Sequence, residues 1–295
     1  MNISFEYYKI FYYVAKYENI TKAAMVLKSS QPNVTRIIHI LEDQLDCRLF
    51  LREPRGLKLT EEGKRLYDHV AIACQHLLDA EAELCWNKNI CSGTIELGVT
   101  ETALHLFLLK HLHGFQQKYS DIKIRIQNNT TPGILKALLN GRLDLAIVTT
   151  PFELNDTFAC EDLMTFREVP AGGSEYRALA GHPMSLKEFR FHSIIGLGYG
   201  TASYEYYRKV FMEQKLDYEP AMEVATADLV IPLLQNNLGV GFIPEPLAAP
   251  FFEDQSLVPL SLNVPLPSRD VKMLWDKSLS QSRAAATFCD YLRSL

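Results

Sequence analysis

A group of polar side chains lies near the start of one predicted helix and carries groups that can bond to nucleic-acid bases. The group is Gln31, Asn33, Thr35, Arg36 and His39. Glutamine can pair with adenine through two hydrogen bonds, arginine can pair with guanine, and threonine offers a hydroxyl and a methyl group. Because polar outward faces are the norm on amphipathic surface helices, this helix alone favours DNA contact and a plain solvent face about equally.

Two short helices joined by a polar turn position these side chains. We expect Thr21 to be the N-cap of the first helix and Ser30 the N-cap of the second. Gln31 and Pro32 fall in the first turn of the second helix, where a missing N–H does no harm. An apolar stripe at helical spacing faces inward: Val34, Ile37, Ile38, Leu41 and Leu45. The pattern predicts a helix-turn-helix, whose second helix enters the major groove.

Residues 49–59 predict a β-hairpin, or wing, formed by two short strands around a Pro/Gly turn. Arg52, Arg55 and Lys58 are placed to meet phosphate or a minor groove. A long helix is predicted to begin after Thr60, with Glu61 and Glu62 in its first turn, where the helix dipole favours acidic residues.

About the first 65 residues closely resemble the LysR-type transcriptional regulators, in order and without gaps. The matching residues are Phe11, Val14, Thr21, Ala23, Ala24, Leu27, Ser30, Gln31, Pro32, Val34, Thr35, Ile38, Leu41, Glu42, Leu45, Leu49, Phe50, Arg52, Leu59, Thr60 and Gly63. Asn33 replaces a small residue, which we expect to alter the operator that is bound. Asp46-Cys47 replaces a glycine turn, which we expect to matter only to that turn. The DNA contacts assigned on this basis are Thr21, Ser30, Gln31, Pro32, Asn33, Thr35, Arg36, Arg52 and Arg55.

Charge is distributed unevenly along the chain, whose formal net charge is −5. Residues 1–65 carry 11 Lys and Arg against 8 Asp and Glu, whereas residues 93–295 carry 18 against 23. A basic head on an acidic body is typical of a modular DNA binder. Since the head is only mildly basic, we expect dimerisation to supply the remaining affinity.

Composition and targeting signals indicate a cytoplasmic protein. No run of about 18 uncharged apolar residues predicts a membrane span, and the first residues lack the pattern of a secretory signal. The six cysteines show no Cys-x-x-Cys pair, so we expect reduced thiols and no thiol sensing.

A heptad seam follows the head, with apolar residues at steps of four and three. Its members are Leu66, Val70, Ala73, Leu77, Ala80 and Leu84. One such seam could pack on its own domain, but its position after a winged head favours a two-chain coiled coil. The resemblance also implies homodimers that pair into homotetramers, and RNA polymerase is a further candidate partner of such a regulator.

Beyond residue 90 buried strands alternate with helices, which predicts α/β layers. The segment 134–148 resembles 229–244, each an apolar helix, a turn and a buried strand, and this faint repeat favours two lobes. We therefore predict an α/β protein with an all-α winged helix-turn-helix domain and a two-lobed regulatory domain similar to periplasmic binding proteins. The expected boundaries are 1–59 for the head, 60–89 for the dimerisation helix and 90–295 for the regulatory domain. Within the last, lobe I covers about 90–160 and 268–295, and lobe II covers about 161–267.

Hydroxyl side chains accumulate where these strands end, and ligands of open α/β sheets bind there. Several also precede helices, so hydroxyls and backbone N–H groups would converge in a way that suits a carboxylate. The alternative is that each simply caps a helix. The residues assigned to effector binding, the cleft itself being implied by the family resemblance, are Thr100, Thr102, Thr130, Thr149, Thr201, Ser203 and Thr226. Glu101 would repel a plain anion unless it points away or pairs with an amino group, so an amino-acid-like effector is the other hypothesis.

Motifs for catalysis are absent from the sequence: it has no Gly-x-Ser-x-Gly elbow, Walker loop or His-Glu-x-x-His motif. His105, His111 and His113 share a helix but show no acidic or thiol partner at ligand spacing, so neither metal nor cofactor is expected. We predict a sequence-specific transcriptional regulator controlled by a small-molecule effector, and not an enzyme. The rival is a small-molecule-binding protein or enzyme that uses its head only for assembly. An architectural DNA binder is disfavoured because it needs no α/β body of this size.

Overall fold

The computed structural model describes residues 3–53, 56–85, 93–279 and 281–295. The chain divides into two compact units, residues 1–88 and residues 89–295. Among the described residues, no helix is both long enough and apolar enough to cross a membrane.

The first unit is a three-helix head followed by a two-stranded wing and a long helix. Its elements are α1 Phe5–Tyr17, α2 Ile20–Val26, α3 Gln31–Leu45, β1 Phe50–Glu53, β2 Gly56–Leu59 and α4 Glu61–Cys85. Phe11, Val34 and Leu41 are fully buried at its centre. The inward stripe of α3 and the antiparallel wing, with Phe50 opposite Leu59, are confirmed.

The N-cap of α3 is Ser30, as predicted, and its hydroxyl accepts a hydrogen bond from the Asn33 N–H. The prediction for α2 is wrong, because Asn19 and not Thr21 caps that helix. Asn19 lies one residue before the helix begins, and its carboxamide oxygen accepts a hydrogen bond from the Lys22 N–H at 2.9 Å. Thr21 is instead an exposed residue of the first turn of α2.

Two backbone positions explain how the head closes on itself. Asp46 ends α3 in the left-handed region, with φ 52° and ψ 36°, a conformation that glycine adopts at lower cost. Gly63 lies so close to the neighbouring chain that a Cβ would sit 2.2 Å from the Leu49 carbonyl oxygen. Glycine at position 63 therefore lets α4 start directly against the segment that leads into the wing.

The seam of α4 has two parts. Val70 lies in the core of the head and Leu66 packs against that core, so these two side chains contact their own head, and their part in a contact between two chains stays a prediction. Both residues face the head because α1 and α4 pack together over these first turns. Ala73 and Leu77 are exposed, and the side chains of Ala80 and Leu84 lie outside the description.

The second unit contains two five-stranded sheets. The first sheet has the order β4-β3-β5-β12-β6, with parallel β3, β4 and β5, and the second has the order β11-β7-β10-β8-β9. The strands are β3 Gly93–Val99, β4 Ile122–Asn128, β5 Leu145–Thr149, β6 Phe158–Phe166, β7 Glu168–Gly172, β8 Ile194–Leu197, β9 Met222–Val224, β10 Val240–Pro244, β11 Val258–Pro259 and β12 Arg269–Asp276.

Helices cover these sheets, and one helical segment passes from α-helix through a π-helical turn and back to α-helix. They are α5 Glu101–Ala103, α6 Leu109–Lys118, α7 Thr131–Leu139, α8 Leu186–Phe189, α9 Ala202–Glu213, α10 Val230–Gln235, α11 Glu245–Glu253 and α12 Arg283–Arg293. A π-helical segment, Leu104–Leu108, joins α5 to α6, and a 3₁₀ turn, Ala227–Leu229, leads into α10. The fully buried Phe115 and Phe288 meet edge to face at 4.7 Å beneath the first sheet.

The predicted change of lobe near residue 160 is wrong. Strand β6 lies entirely in the first sheet, where it pairs with β12 along its length. Residues of β6 contribute to the core of that sheet, Phe166 among them, so the chain enters the second sheet only at Glu168. It returns at Arg269, the first residue of β12.

Candidate functional sites

The amino-terminal end of α3 presents a polar surface. Gln31, Pro32 and Arg36 are exposed, as is Ser30, and Thr35 is half-buried. Thr21 lies beside this surface, since its hydroxyl is 3.5 Å from the Gln31 carboxamide oxygen. The structure thus brings the predicted contacts of α2 and α3 to one face of the head.

Asn33 connects the turn to this polar surface. The side-chain nitrogen Nδ2 of Asn33 donates to the Ser29 hydroxyl at 3.0 Å, and its side-chain oxygen accepts from Nη2 of Arg36 at 3.1 Å. The side chain of Arg36 is therefore held by a residue one turn earlier in the helix. Of the wing residues assigned to DNA, Arg55 and the side chain of Arg52 lie outside the description.

A buried carboxylate fixes the wing relative to α3. Glu42 is 5% exposed and accepts the N–H groups of Leu49 at 2.7 Å and Phe50 at 3.2 Å. Arg48 donates to its other oxygen at 2.8 Å. Burial raises the pKa of Glu42, but the bonds from Leu49, Arg48 and Phe50 together outweigh burial and hold that pKa below its usual range. The sequence marked Glu42 only as a match to the family.

In the second unit the seven residues assigned to effector binding line one cleft of about 240 Å³. Four of them are N-cap residues of separate helical segments that follow strands of the two sheets. Thr100 and Thr130 follow strands of the first sheet, and Thr201 and Thr226 follow strands of the second. These residues follow the carboxyl ends of parallel strands, where helix starts direct their N–H groups at the same space.

The hydroxyls of these four caps are not used alike. Those of Thr130 and Thr201 accept the N–H groups of Gly133 and Tyr204, so for these two the capping role is real. Thr100 and Thr226 make no side-chain capping bond. The Thr100 hydroxyl is also buried and has no hydrogen-bond partner among the described residues, which is uncommon for a buried polar group.

Thr149 and Ser203 accept hydrogen bonds from a buried arginine that no sequence pattern singles out. Arg269 is 1% exposed and donates to the hydroxyls of Ser203 at 3.1 Å and Thr149 at 3.2 Å. It also donates to the Thr150 carbonyl oxygen at 2.7 Å and to the Glu168 carboxylate. Burial raises the pKa of Glu168, and attraction to Arg269 opposes that rise.

The ion pair therefore joins the two places where the chain passes between the sheets. One oxygen of Glu168, Oε2, meets no donor with hydrogen-bond geometry among the described residues, although the nearby Tyr207 hydroxyl lowers the pKa. A single charged residue just ahead of a buried strand is too common a pattern to have revealed Arg269 from the sequence.

Glu101 stands at the edge of the cleft with both oxygens occupied. His105 Nε2 lies 2.7 Å from Oε1, and Asn128 donates to Oε2 at 2.5 Å. The expectation that His105 has no acidic partner is wrong, because position 101 lies one helical turn before it. No cluster of three or more metal-ligating side chains occurs among the residues that the structure describes.

Comparison with known proteins identifies both units. Residues 5–64 match the family model "Bacterial regulatory helix-turn-helix protein, lysR family", and residues 91–295 match "LysR substrate binding domain". The HTH-type transcriptional regulator YofA of Bacillus velezensis is 26% identical over 289 residues, which cover 97% of this chain and 96% of YofA. The regulator BudR of Raoultella terrigena is 32% identical over 183 residues, 61% of this chain and 60% of BudR.

Solved structures share the fold over almost the whole chain. A full-length OxyR variant from Pseudomonas aeruginosa gives a TM-score of 0.71 at 17% identity, with 99% of this chain and 98% of that chain covered. HinK, a LysR family regulator from the same species, gives 0.58 at 24% identity, with 99% and 98% covered. The two family matches span both units, and the chain therefore belongs to the LysR family of DNA-binding transcriptional regulators, with a helix-turn-helix head and an effector-binding domain.

Proposed function

We propose that α3 contacts base edges of an operator through Gln31 and Arg36, with Thr21, Ser30, Pro32, Asn33 and Thr35 completing the contact surface. The exposure of this polar end supports the assignment, as does the bond by which Asn33 orients Arg36. Arg52 and Arg55 of the wing remain assigned to DNA on the resemblance alone.

Binding of the full chain to its own upstream DNA tests this assignment. Gln31→Ala and Arg36→Ala should each weaken specific binding by roughly 1–3 kcal/mol, since each removes a base contact. Gln44→Ala is the matched control, because Gln44 is an exposed glutamine near the other end of the same helix. Fluorescence anisotropy at fixed salt measures the affinities. Equal losses for Gln31→Ala and Gln44→Ala would contradict the proposed orientation of α3.

The head acts within a homodimer in this proposal. Ala73 and Leu77 are exposed on α4, and Leu77 is 48% exposed, so the contact between two chains begins at Ala73. Leu77→Lys should shift sedimentation toward the monomer, whereas Asp68→Lys, at an exposed polar position of the same helix, should leave the dimer intact. The same proposal includes the pairing of two dimers into a tetramer, and RNA polymerase as a further partner.

The regulatory domain binds a carboxylate effector in the hydroxyl-lined cleft. What carries this proposal is the convergence of four N-cap threonines, with the buried Thr100 hydroxyl lacking an acceptor among the described residues. Helix starts and hydroxyl donors stabilise an anion. A plain carboxylate is supported over an amino-acid-like effector because each Glu101 oxygen already has a partner, His105 or Asn128, so an ammonium group would have to share an oxygen with one of them.

Calorimetric titration of the full chain compares propanoate with alanine, which differ by one ammonium group. We expect propanoate to bind more tightly, and Thr100→Val and Thr226→Val to weaken it roughly fivefold to tenfold, about 1–1.5 kcal/mol for one hydrogen bond. Thr165→Val is the control, since Thr165 is an exposed threonine outside the cleft. Tighter binding of alanine would favour the amino-acid-like effector instead.

A further inference from the structure

A second cavity of about 390 Å³ lies beside the cleft. The two spaces adjoin, because five residues border both of them: Glu101, Thr102, Leu197, Ser203 and Ala227. The walls of the second cavity differ sharply from the hydroxyl-rich cleft. They are formed largely by apolar side chains of the second lobe, among them Val230, Ile231, Phe242, Leu247 and Phe251.

The polar groups that border this apolar cavity are engaged or acidic. Glu168 is bound to Arg269, Glu101 to His105 and Asn128, and Gln235 to the Ser256 hydroxyl. Asp228 lies at the exposed rim. No lysine or arginine is among the described residues that line the cavity, so a second anionic group would be buried there without such a side chain to pair with.

From the adjacency of the two spaces and the contrast between their walls we infer that the effector is an amphipathic monocarboxylate. Its carboxylate lies among the threonines of the cleft, and its apolar body, a ring or an alkyl chain, fills the adjoining cavity. This inference rests on the proposed carboxylate site and adds the chemical class of the rest of the molecule. A volume of 390 Å³, at about 30 Å³ for a water-sized group, holds a body on the order of ten heavy atoms.

Titration of the full chain with straight-chain carboxylates of two, four, six and eight carbons tests the inference, because only the apolar part changes along the series. Each added methylene that enters the cavity should tighten binding by about fourfold, which corresponds to about 0.8 kcal/mol. The six-carbon α,ω-dicarboxylate should bind no better than the four-carbon monocarboxylate, because its second charge would have to lie in a largely apolar cavity whose described lining residues include no lysine or arginine.

A substitution in the cavity wall separates the two parts of the site. Ile231→Asn makes the wall polar at a half-buried position, and should abolish most of the gain with chain length while leaving the two-carbon acid, which has no chain to enter the cavity, within about twofold of wild type. Leu229→Asn is the matched control, because Leu229 is 43% exposed and lies outside the wall. We expect it to preserve the full dependence on chain length.

The outcomes distinguish the inference from the function on which it rests. Binding of the short acids with no gain along the series, or tighter binding of the dicarboxylate, would overturn the inference and leave the carboxylate site standing. No binding by any member of the series would overturn both. An equal loss of chain-length dependence in Ile231→Asn and Leu229→Asn would also overturn the inference, since the effect would not then come from the cavity.

Discussion

The head and the regulatory domain hold their buried polar groups in different ways. In the head, Glu42 bonds to residues six to eight positions away, and Asn33 bonds to residues three and four positions away. In the regulatory domain, Arg269 collects side chains from 66 to 120 positions away. The head is therefore organised by short loops, whose closure is entropically cheap, while the cleft exists only once distant segments have come together.

The largest expected effect comes from removing the long-range anchor. Arg269→Ala should destabilise the regulatory domain by roughly 3–5 kcal/mol, because the buried Glu168 loses its partner. Urea unfolding followed by Trp275 fluorescence, in a Trp86→Phe background, measures the change. Arg167→Ala, at an exposed arginine next to Glu168, should stay within about 0.5 kcal/mol of the parent. A loss as large for Arg167→Ala would remove the special role given to Arg269.

The local anchor of the head should matter somewhat less. Glu42→Ala should cost roughly 2–3 kcal/mol, because the N–H groups of Leu49 and Phe50 lose their acceptor. Hydrogen exchange of the α3 amides measures this loss, with Asp43→Ala, an exposed neighbour, as the control. An intact exchange pattern in Glu42→Ala would show that the wing is held by other contacts.

Acid should reproduce the same loss in the unchanged chain. Since the folded-state pKa of Glu42 lies below its ordinary value, its contribution is present above that value and is lost as the pH falls through the folded pKa. The difference in stability between the wild type and Glu42→Ala should thus be full at neutral pH and shrink below about pH 4. A difference that stays constant across this range would contradict the charged role.

A close backbone approach gives the next effect. Gly63→Ala should destabilise the head by roughly 1–3 kcal/mol, because the added methyl group meets the Leu49 carbonyl oxygen. The neighbouring exposed position serves as control, since Glu62→Ala should be nearly neutral. Chemical unfolding monitored by circular dichroism compares the two variants. A neutral Gly63→Ala would mean that α4 can start further from the wing at no cost.

The smallest effect is a gain. Asp46→Gly should stabilise the head by about 0.5–1 kcal/mol, because glycine takes the left-handed conformation at the end of α3 with less strain. Asp46→Ala keeps the strain and should bring no gain. DNA affinity should be unchanged in both variants, since only the turn is altered, and thermal unfolding would reveal the difference between them.

This contrast also explains what the sequence could and could not predict. The N-cap and stripe of α3, the wing and the alternation in the α/β body follow from short patterns, and these predictions are confirmed. Thr21 was misplaced as a cap because Asn19, two positions earlier, competes for the same role. The membership of β6 in the first sheet depends on pairing with β12 from the far end of the chain, which no local pattern encodes.

The cleft shows the same division. Hydroxyls at strand ends could be listed from the sequence, because parallel strands place their carboxyl ends at one edge. The sequence could not show which of these hydroxyls already accept a hydrogen bond, since that depends on whether Thr130 and Thr201 cap their own helices. The Arg269–Glu168 pair was missed for a related reason, as its members are separated by 101 positions.

Thr100 and Thr226 follow strands of different sheets and are the N-cap residues of the helical turns that come next. Neither hydroxyl makes a capping hydrogen bond to its own helix. A carboxylate seated between them would accept the N–H groups that these threonines leave unserved, and so would finish two helices at once. Occupancy would then be recorded as slower amide exchange in the opening turns at residues 101–103 and 227–228. The small molecule would then act as the N-cap of two helical segments that lack a side-chain cap of their own.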